Sequence, residues 1–217
     1  MRKEVKEPQM DHFSIDLETL HTRYDAAILS IGCAQFDPMS GKIGLQFYRE
    51  INLDSAIKHG AIDADTLRWW MQQSDKARQV FGADGKVGLA QALDEFTTWM
   101  RARSMAPKVW GNGATSDITI LQHAYVVGCV GLQPPWHHTN IRDMRTIVDV
   151  AGVDPGAWPF PKDAVAHNAA HDAKRQAEII AACWQKIRNS TLPGGEPEKT
   201  REQIPNPPIE KADSPGN

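Results

Sequence analysis

Three short segments carry acidic residues in a fixed order: Asp16-Leu17-Glu18, then Asp117, then Asp172 with His167 five residues before it. Four carboxylates and one imidazole, drawn from distant parts of the chain, can hold two divalent metal ions and deprotonate a water. Phosphodiester hydrolysis needs a positioned nucleophile, charge stabilisation on the non-bridging oxygens and help for the leaving alkoxide. Two metals about 3.5–4 Å apart supply all three. Hard divalent cations such as Mg²⁺ and Mn²⁺ choose oxygen ligands, hence carboxylates rather than thiolates. In this reading Asp16, Glu18, Asp117 and Asp172 bind metal, and His167 is the general base. Taken singly, each piece is ordinary: an Asp opening a helix is commonly an N-cap, a loop histidine is commonly only that, and His171 competes for the role of base. The signal lies in the combination.

The elements that must position these groups are legible from periodicity. Residues 12–19 alternate, with Phe13, Ile15 and Leu17 on one side and Ser14, Asp16 and Glu18 on the other, as in a half-buried strand. Two acids in an apolar strand are costly to desolvate unless a cation compensates them. Residues 26–36 read as a central strand, 37–41 as a turn and 44–52 as a third strand, giving a meander. Asp63 or Asp65 caps a helix through Leu67, Trp70 and Met71, and a second helix runs over about 89–103. A short strand at 107–110 leads into Gly111-Asn112-Gly113, followed by a helix over 116–127. Residues 141–151 read as a short strand or a helix start, and 152–166 as a Gly/Pro-punctuated loop. A final helix spans about 168–188, with Ala173, Ala177, Ile180, Ala181, Trp184 and Ile187 as its apolar stripe.

Ser14-Ile-Asp-Leu-Glu-Thr19, Asn112-Gly-Ala-Thr-Ser-Asp117 and His167-Asn-Ala-Ala-His-Asp172 resemble the three exonuclease motifs of the DEDDh 3′–5′ exonuclease superfamily. Within it the chain looks most like the phage and prophage exonucleases and the related bacterial 3′–5′ exoribonuclease-like proteins. The segment from Ile62 to Ser74 is similar to one typical of that subgroup, and the resemblance covers roughly residues 11–188. It implies an α/β RNase H-like fold, a central mixed sheet flanked by helices with the acids clustered at one edge. It further implies that Asp16, Glu18 and Asp172 hold a first metal, that Asp16 also touches a second, that Asp117 acts partly through water and that His167 is the base. Thr19 and Leu20 are implied contacts of the 3′-terminal nucleotide. Leu20 and His21 stand where the proofreading members usually carry glycine, and Ser116 stands where an aromatic often precedes the second acid.

Other residues suggest contacts to a nucleic-acid strand. Trp69 and Trp70 point in different directions from one helix, so one packs in the core while the other is free to stack on a base; Trp69 is the candidate. Asn112 either fixes its own turn or bonds to substrate. Arg68, Arg142, Arg145 and Lys162 are candidates for backbone phosphates, and the Trp158-Pro-Phe-Pro161 segment is either a lid or packing. The expected partners are single-stranded DNA or RNA 3′ ends, with DNA narrowly ahead. The alternatives are a silent binding module on the same fold and a hydrolase of short oligonucleotides. The superfamily's frequent dimers make a homodimer compatible with the exposed aromatics.

At 217 residues the chain fits a domain over 11–190 between a mobile leader, 1–10, and a Pro/Gly/charged tail, 191–217, expected to be disordered. The net charge of −3 assigns no strongly basic nucleic-acid surface. Three dispersed cysteines, no apolar leader and no membrane-length apolar run lead to the expectation of a reduced bacterial cytoplasm, with the chain phage- or prophage-encoded.

Overall fold

The computed structural model describes residues 10–82, 85–129, 131–160 and 164–191. The leader up to residue 9, the tail from 192 and the candidate phosphate ligand Lys162 lie outside the described residues. Five strands form one sheet in the order β3-β2-β1-β4-β5. These are β1 (His12–Thr19), β2 (Ile28–Phe36), β3 (Ile43–Glu50), β4 (Lys108–Gly111) and β5 (Ile141–Asp143). The first three form an antiparallel meander; β4 joins β1, and β5 joins β4, in parallel. The sheet is therefore mixed. Around it lie α1 (Leu53–His59), α2 (Ala64–Met71), α3 (Asp75–Arg78), α4 (Leu89–Arg101), α5 (Asp117–Gly128), α6 (Met144–Ala151) and α7 (Ala169–Thr191).

The alternation along β1 separates two cores. Phe13, Ile15 and Leu17 face a cluster with Leu93, Phe96, Ile118 and Leu121 from α4 and α5. The opposite face belongs to α6 and α7, where Phe36, Trp110, Met144, Ala173, Ala177 and Ile180 pack together. Asp16 and Glu18 share this second face, as their period of two requires.

Several boundaries differ from those read in the sequence. The second strand begins at Ile28, because Ala26 instead bridges to Ala61. The third ends at Glu50, since Asn52 turns the chain into α1 by accepting a bond from the Ser55 N–H at 3.3 Å. That seven-residue helix and the four-residue α3 are too short to show a periodicity. Asp63, not Asp65, caps α2, accepting from the Thr66 N–H at 2.9 Å. Residues 141–151 form both a strand and a helix, joined where Asp143 caps α6.

The final helix reaches the acids through a close backbone approach. Gly32 on β2 is paired directly with Asp16 on β1. A Cβ built at Gly32 would lie 2.0 Å from the carbonyl carbon of Ala169 in the first turn of α7. Ala169, Ala173 and Ala177 are all fully buried, so a side of small residues seats the helix on the sheet. We expect Gly32→Ala to destabilise the fold by about 3 kcal/mol, because the added methyl meets backbone rather than a yielding side chain. Urea denaturation of the two proteins measures this, and an unchanged midpoint would contradict the packing argument.

Candidate active site

The face shared by β1, α5 and α7 assembles all five chemically marked residues. Asp16 and Glu18 project from β1; Asp117 opens α5 directly after the β4 turn. Asp172 lies in the first turn of α7. Oxygens of Glu18 and Asp172 and a ring nitrogen of His167 all lie within 4.8 Å of one another. Asp16 and Asp117 complete the cluster electrostatically, each feeling other members of it. A cleft of about 640 Å³ opens over these groups, lined by Asp16, Glu18, Asp172 and His167 together with Asn112 and Arg145.

Burial and mutual repulsion raise the acids' pKa values. Loss of hydration pushes Asp16 well above the usual carboxylate range, with Asp117, Glu18 and Asp172 adding to it and a hydrogen bond from Gln176 opposing it. Glu18 is pushed up to about 8 by burial and then by Asp172 and Asp117. Asp117 rises to about 6 through burial, held back by backbone N–H groups, including those of Leu17 and Asn112, and by Arg145. Burial also raises Asp172, against the opposing pull of His167 and its own backbone bond. A buried, oxygen-rich, mutually repelling donor set fits hard divalent cations, which would lower the energy of every charged form at once.

His167 has a φ of 62°, the left-handed region uncommon for a residue with a side chain. Its backbone N–H donates to Asp172 Oδ2 at 2.9 Å, tying the turn to the acid. Asn168 then starts the helix, its Oδ1 accepting from the N–H groups of Ala170 and His171, each at 3.2 Å. The Trp69 ring stands edge-on to His167 with centroids 4.7 Å apart. His171, the competing base, is occupied elsewhere: its Nδ1 accepts from the Val165 N–H at 3.0 Å, holding the preceding loop.

The remaining sequence candidates divide. Thr19 and Trp69 line a second concavity of about 560 Å³ that meets the first at Leu17 and Glu18. Trp69 is 41% exposed, whereas Trp70 packs in the core and donates its indole N–H to the Thr19 carbonyl at 2.9 Å. Leu20 is 1% exposed and its side chain points into the core rather than lining either concavity. Asn112 lines the cleft and accepts a 3.4 Å bond from Arg145. Arg68 pairs with Asp65 on an exposed helix face, and Arg142 donates to the carbonyls of Thr139 and Ile141. Trp158 packs on the second core, and its carbonyl accepts from Arg175 at 3.1 Å.

Gln176 was not singled out by the sequence. It is buried and donates Nε2–H to Asp16 Oδ1 at 2.6 Å, while its Oε1 faces the Ser14 hydroxyl at 3.4 Å. Its signal was available: four residues after Asp172, it lies one turn further along the same helix face.

A family model described as the 3′–5′ exoribonuclease Rv2179c-like domain matches residues 11–184. An exodeoxyribonuclease of Enterobacteria phage T4 is 26% identical over 198 residues, covering 76% of this chain and 86% of its own. Among solved structures, the nuclease domain of 3′hExo, a DEDDh family member bound to rAMP, aligns with a TM-score of 0.51 at 14% identity, covering 81% of this chain and 92% of that one. A 3′-exonuclease recognising the histone mRNA stem-loop gives 0.50 at 14% identity, over 81% and 82%. The fold is thus the RNase H-like fold of the DEDDh nucleases. The chain belongs to the Rv2179c-like 3′–5′ exonuclease family, whose members act on nucleic acid.

The raised carboxylates have a measurable consequence. Glu18 and Asp117 hold their protons more tightly folded than unfolded, so the metal-free fold loses stability as pH rises from the ordinary carboxylate range through about 6 and about 8. His12, lowered from 6.5 to about 4 chiefly by burial, works in the opposite sense below 6.5. Between pH 6.5 and 8 the melting temperature in EDTA should therefore fall, Glu18→Gln should flatten the fall, and Mn²⁺ should reverse it. A flat wild-type profile would contradict the electrostatic reading.

Proposed function

We propose that the chain is a two-metal-ion exonuclease that removes nucleoside 5′-monophosphates one at a time from the 3′ end of single-stranded nucleic acid. The observation that carries this reading is the juxtaposition of Glu18, Asp172 and His167 within a single acidic cluster, Glu18 buried and the other two half-buried. Asp16, Glu18, Asp117 and Asp172 would hold the metals. Bound divalent ions supply charge stabilisation for the phosphoryl oxygens and the leaving alkoxide. An imidazole nitrogen of His167 takes a proton from the attacking water as its oxygen bonds to phosphorus. The bond from phosphorus to the 3′ oxygen of the preceding nucleotide breaks, leaving a strand one nucleotide shorter. The terminal nucleotide rests in the concavity of Thr19 and Trp69, with the exposed tryptophan face available for stacking.

DNA is the preferred substrate in this reading, supported by the phage exodeoxyribonuclease relative. RNA is the second reading, favoured by the description of the family model. In either case the chain acts as a nuclease rather than a silent binding module, because every acid of the cluster is present, Glu18 and Asp117 buried and Asp16 and Asp172 half-buried.

Digestion of matched 5′-labelled single-stranded DNA and RNA with Mg²⁺, Mn²⁺ or EDTA tests the proposal. The expected result is a metal-dependent ladder shortening from the 3′ end, absent in Asp16→Ala and slowed about 10²- to 10⁴-fold in His167→Ala. The faster strand names the substrate. Retained binding without cleavage under any metal would overturn the enzyme reading.

A further inference from the structure

The acid cluster lies between two concavities, and the terminal nucleotide accounts for only one of them. The other runs from Glu18 and Asp172 between α6 and α7, with Met144, Val148 and Val153 as an apolar wall and Arg145, Arg175 and Asp149 on its polar side. Arg145 is exposed in the first turn of α6, whose start is held in place. Asp143 caps α6 through the Thr146 N–H at 2.8 Å and accepts from the Ala114 N–H at 2.6 Å, clamping the helix start to the turn after β4. Gly113, at φ 99°, lies beside the guanidinium: a Cβ there would be 3.4 Å from Arg145 Cζ, about van der Waals contact. Asn112 takes the Nε–H at 3.4 Å.

The guanidinium has most of its donors left over. Among the described residues it forms no ion pair with a carboxylate, unlike Arg23, Arg49, Arg68 and Arg78. Arg175, which lines the same cleft, donates Nη2–H to the carbonyls of Pro155 and Trp158, and its buried Nε has no partner among the described residues. Arg145, the exposed one of the two, presents a planar fork of donors free for a phosphate. Its attraction for Asp117 does not replace that role, since it bonds to Asn112 rather than to the acid.

Resting on the exonuclease reading above, we propose that the α6–α7 cleft is the binding site for the nucleotide on the 5′ side of the scissile bond, and that Arg145 grips the phosphate one step upstream of the bond being cut. The apolar wall accepts the sugar and base of that nucleotide without reading its identity. A strand is then held on both sides of the acids, by Trp69 at its end and by Arg145 one phosphate inward. A dinucleotide joined by one internal phosphate has only the scissile group; a trinucleotide adds the phosphate that Arg145 would hold.

The test compares kcat/KM for an unphosphorylated trinucleotide and dinucleotide of the same bases in wild type, Arg145→Ala and Arg145→Lys, with each oligonucleotide also assayed as a competitive inhibitor of long-strand digestion. Truncation of Arg145 should lower trinucleotide kcat/KM about tenfold more than dinucleotide kcat/KM, corresponding to the ~1.4 kcal/mol of a tenfold ratio, with the loss mainly in KM and inhibition constants following the same ratio. The salt dependence of long-strand binding in EDTA should become shallower by about 0.7 in log–log slope, one released phosphate contact. Lysine should restore the charge-dependent slope better than the trinucleotide preference. Equal losses on both oligonucleotides with an unchanged salt slope would assign Arg145 to the structure of the β4 turn or to the scissile group and overturn the proposal. Failure of the wild type to cut any strand would instead reject the exonuclease reading, while the salt slope in EDTA would still decide whether Arg145 grips a phosphate.

Discussion

Asp16, Glu18, Asp117 and Asp172 are held together against their own repulsion and without the hydration that would screen it. Every one of them is shifted toward its protonated form, with burial the largest cause. A fold that gathers like charges in this way stores unfavourable energy until a cation arrives, and a bound cation then stabilises folded over unfolded chain by mass action. Stability and activity are thereby coupled through the same ions.

The rest of the architecture keeps that proximity from relaxing. The β1–β2 pairing sets Asp16 opposite Gly32, and the absent side chain lets the first turn of α7 sit against the strand. Asp172 follows one turn later, and Gln176 one turn beyond it, where it braces Asp16 with a neutral amide rather than with a competing positive charge. Such bracing bonds fix the orientation of ligating groups. Ahead of the helix, His167 occupies a left-handed conformation because Asp172 accepts its backbone N–H. The same carboxylate thus holds the strained turn and faces the cluster, so the proposed base and the proposed metal ligand are positioned together.

How much of this could be read from the sequence depended on the kind of signal. Alternation along residues 12–19 placed Asp16 and Glu18 on one face because a strand's period leaves no other arrangement. The long helix of α7 carried a clear apolar stripe. Short elements carried none: α1 and α3 are set by Asn52 and Ser74 caps and by tertiary packing, not by periodicity. Of the adjacent tryptophans the sequence analysis named Trp69 as the candidate for stacking; the structure buries Trp70 and exposes Trp69, because the Trp70 indole N–H is drawn to the Thr19 carbonyl. The role of Gln176 escaped notice because a glutamine in a helix is ordinarily solvated, and its burial depends on a strand 160 residues away in sequence.

The concavities meeting at Glu18 give the cluster a direction. Trp69 and Thr19 bound one side, and α6 with the final helix bounds the other, so a strand crossing the acids is constrained at both ends. All of this rests on the claim that the acids exist to hold divalent ions. Titration of the metal-free chain with Mn²⁺, followed by electron paramagnetic resonance, tests that claim without requiring a substrate. Two bound ions per chain are expected, their signals broadened through mutual coupling at a spacing of about 3.5–4 Å, with the coupled signal lost in Asp16→Ala. Free Mn²⁺ signal undiminished by stoichiometric protein would contradict it.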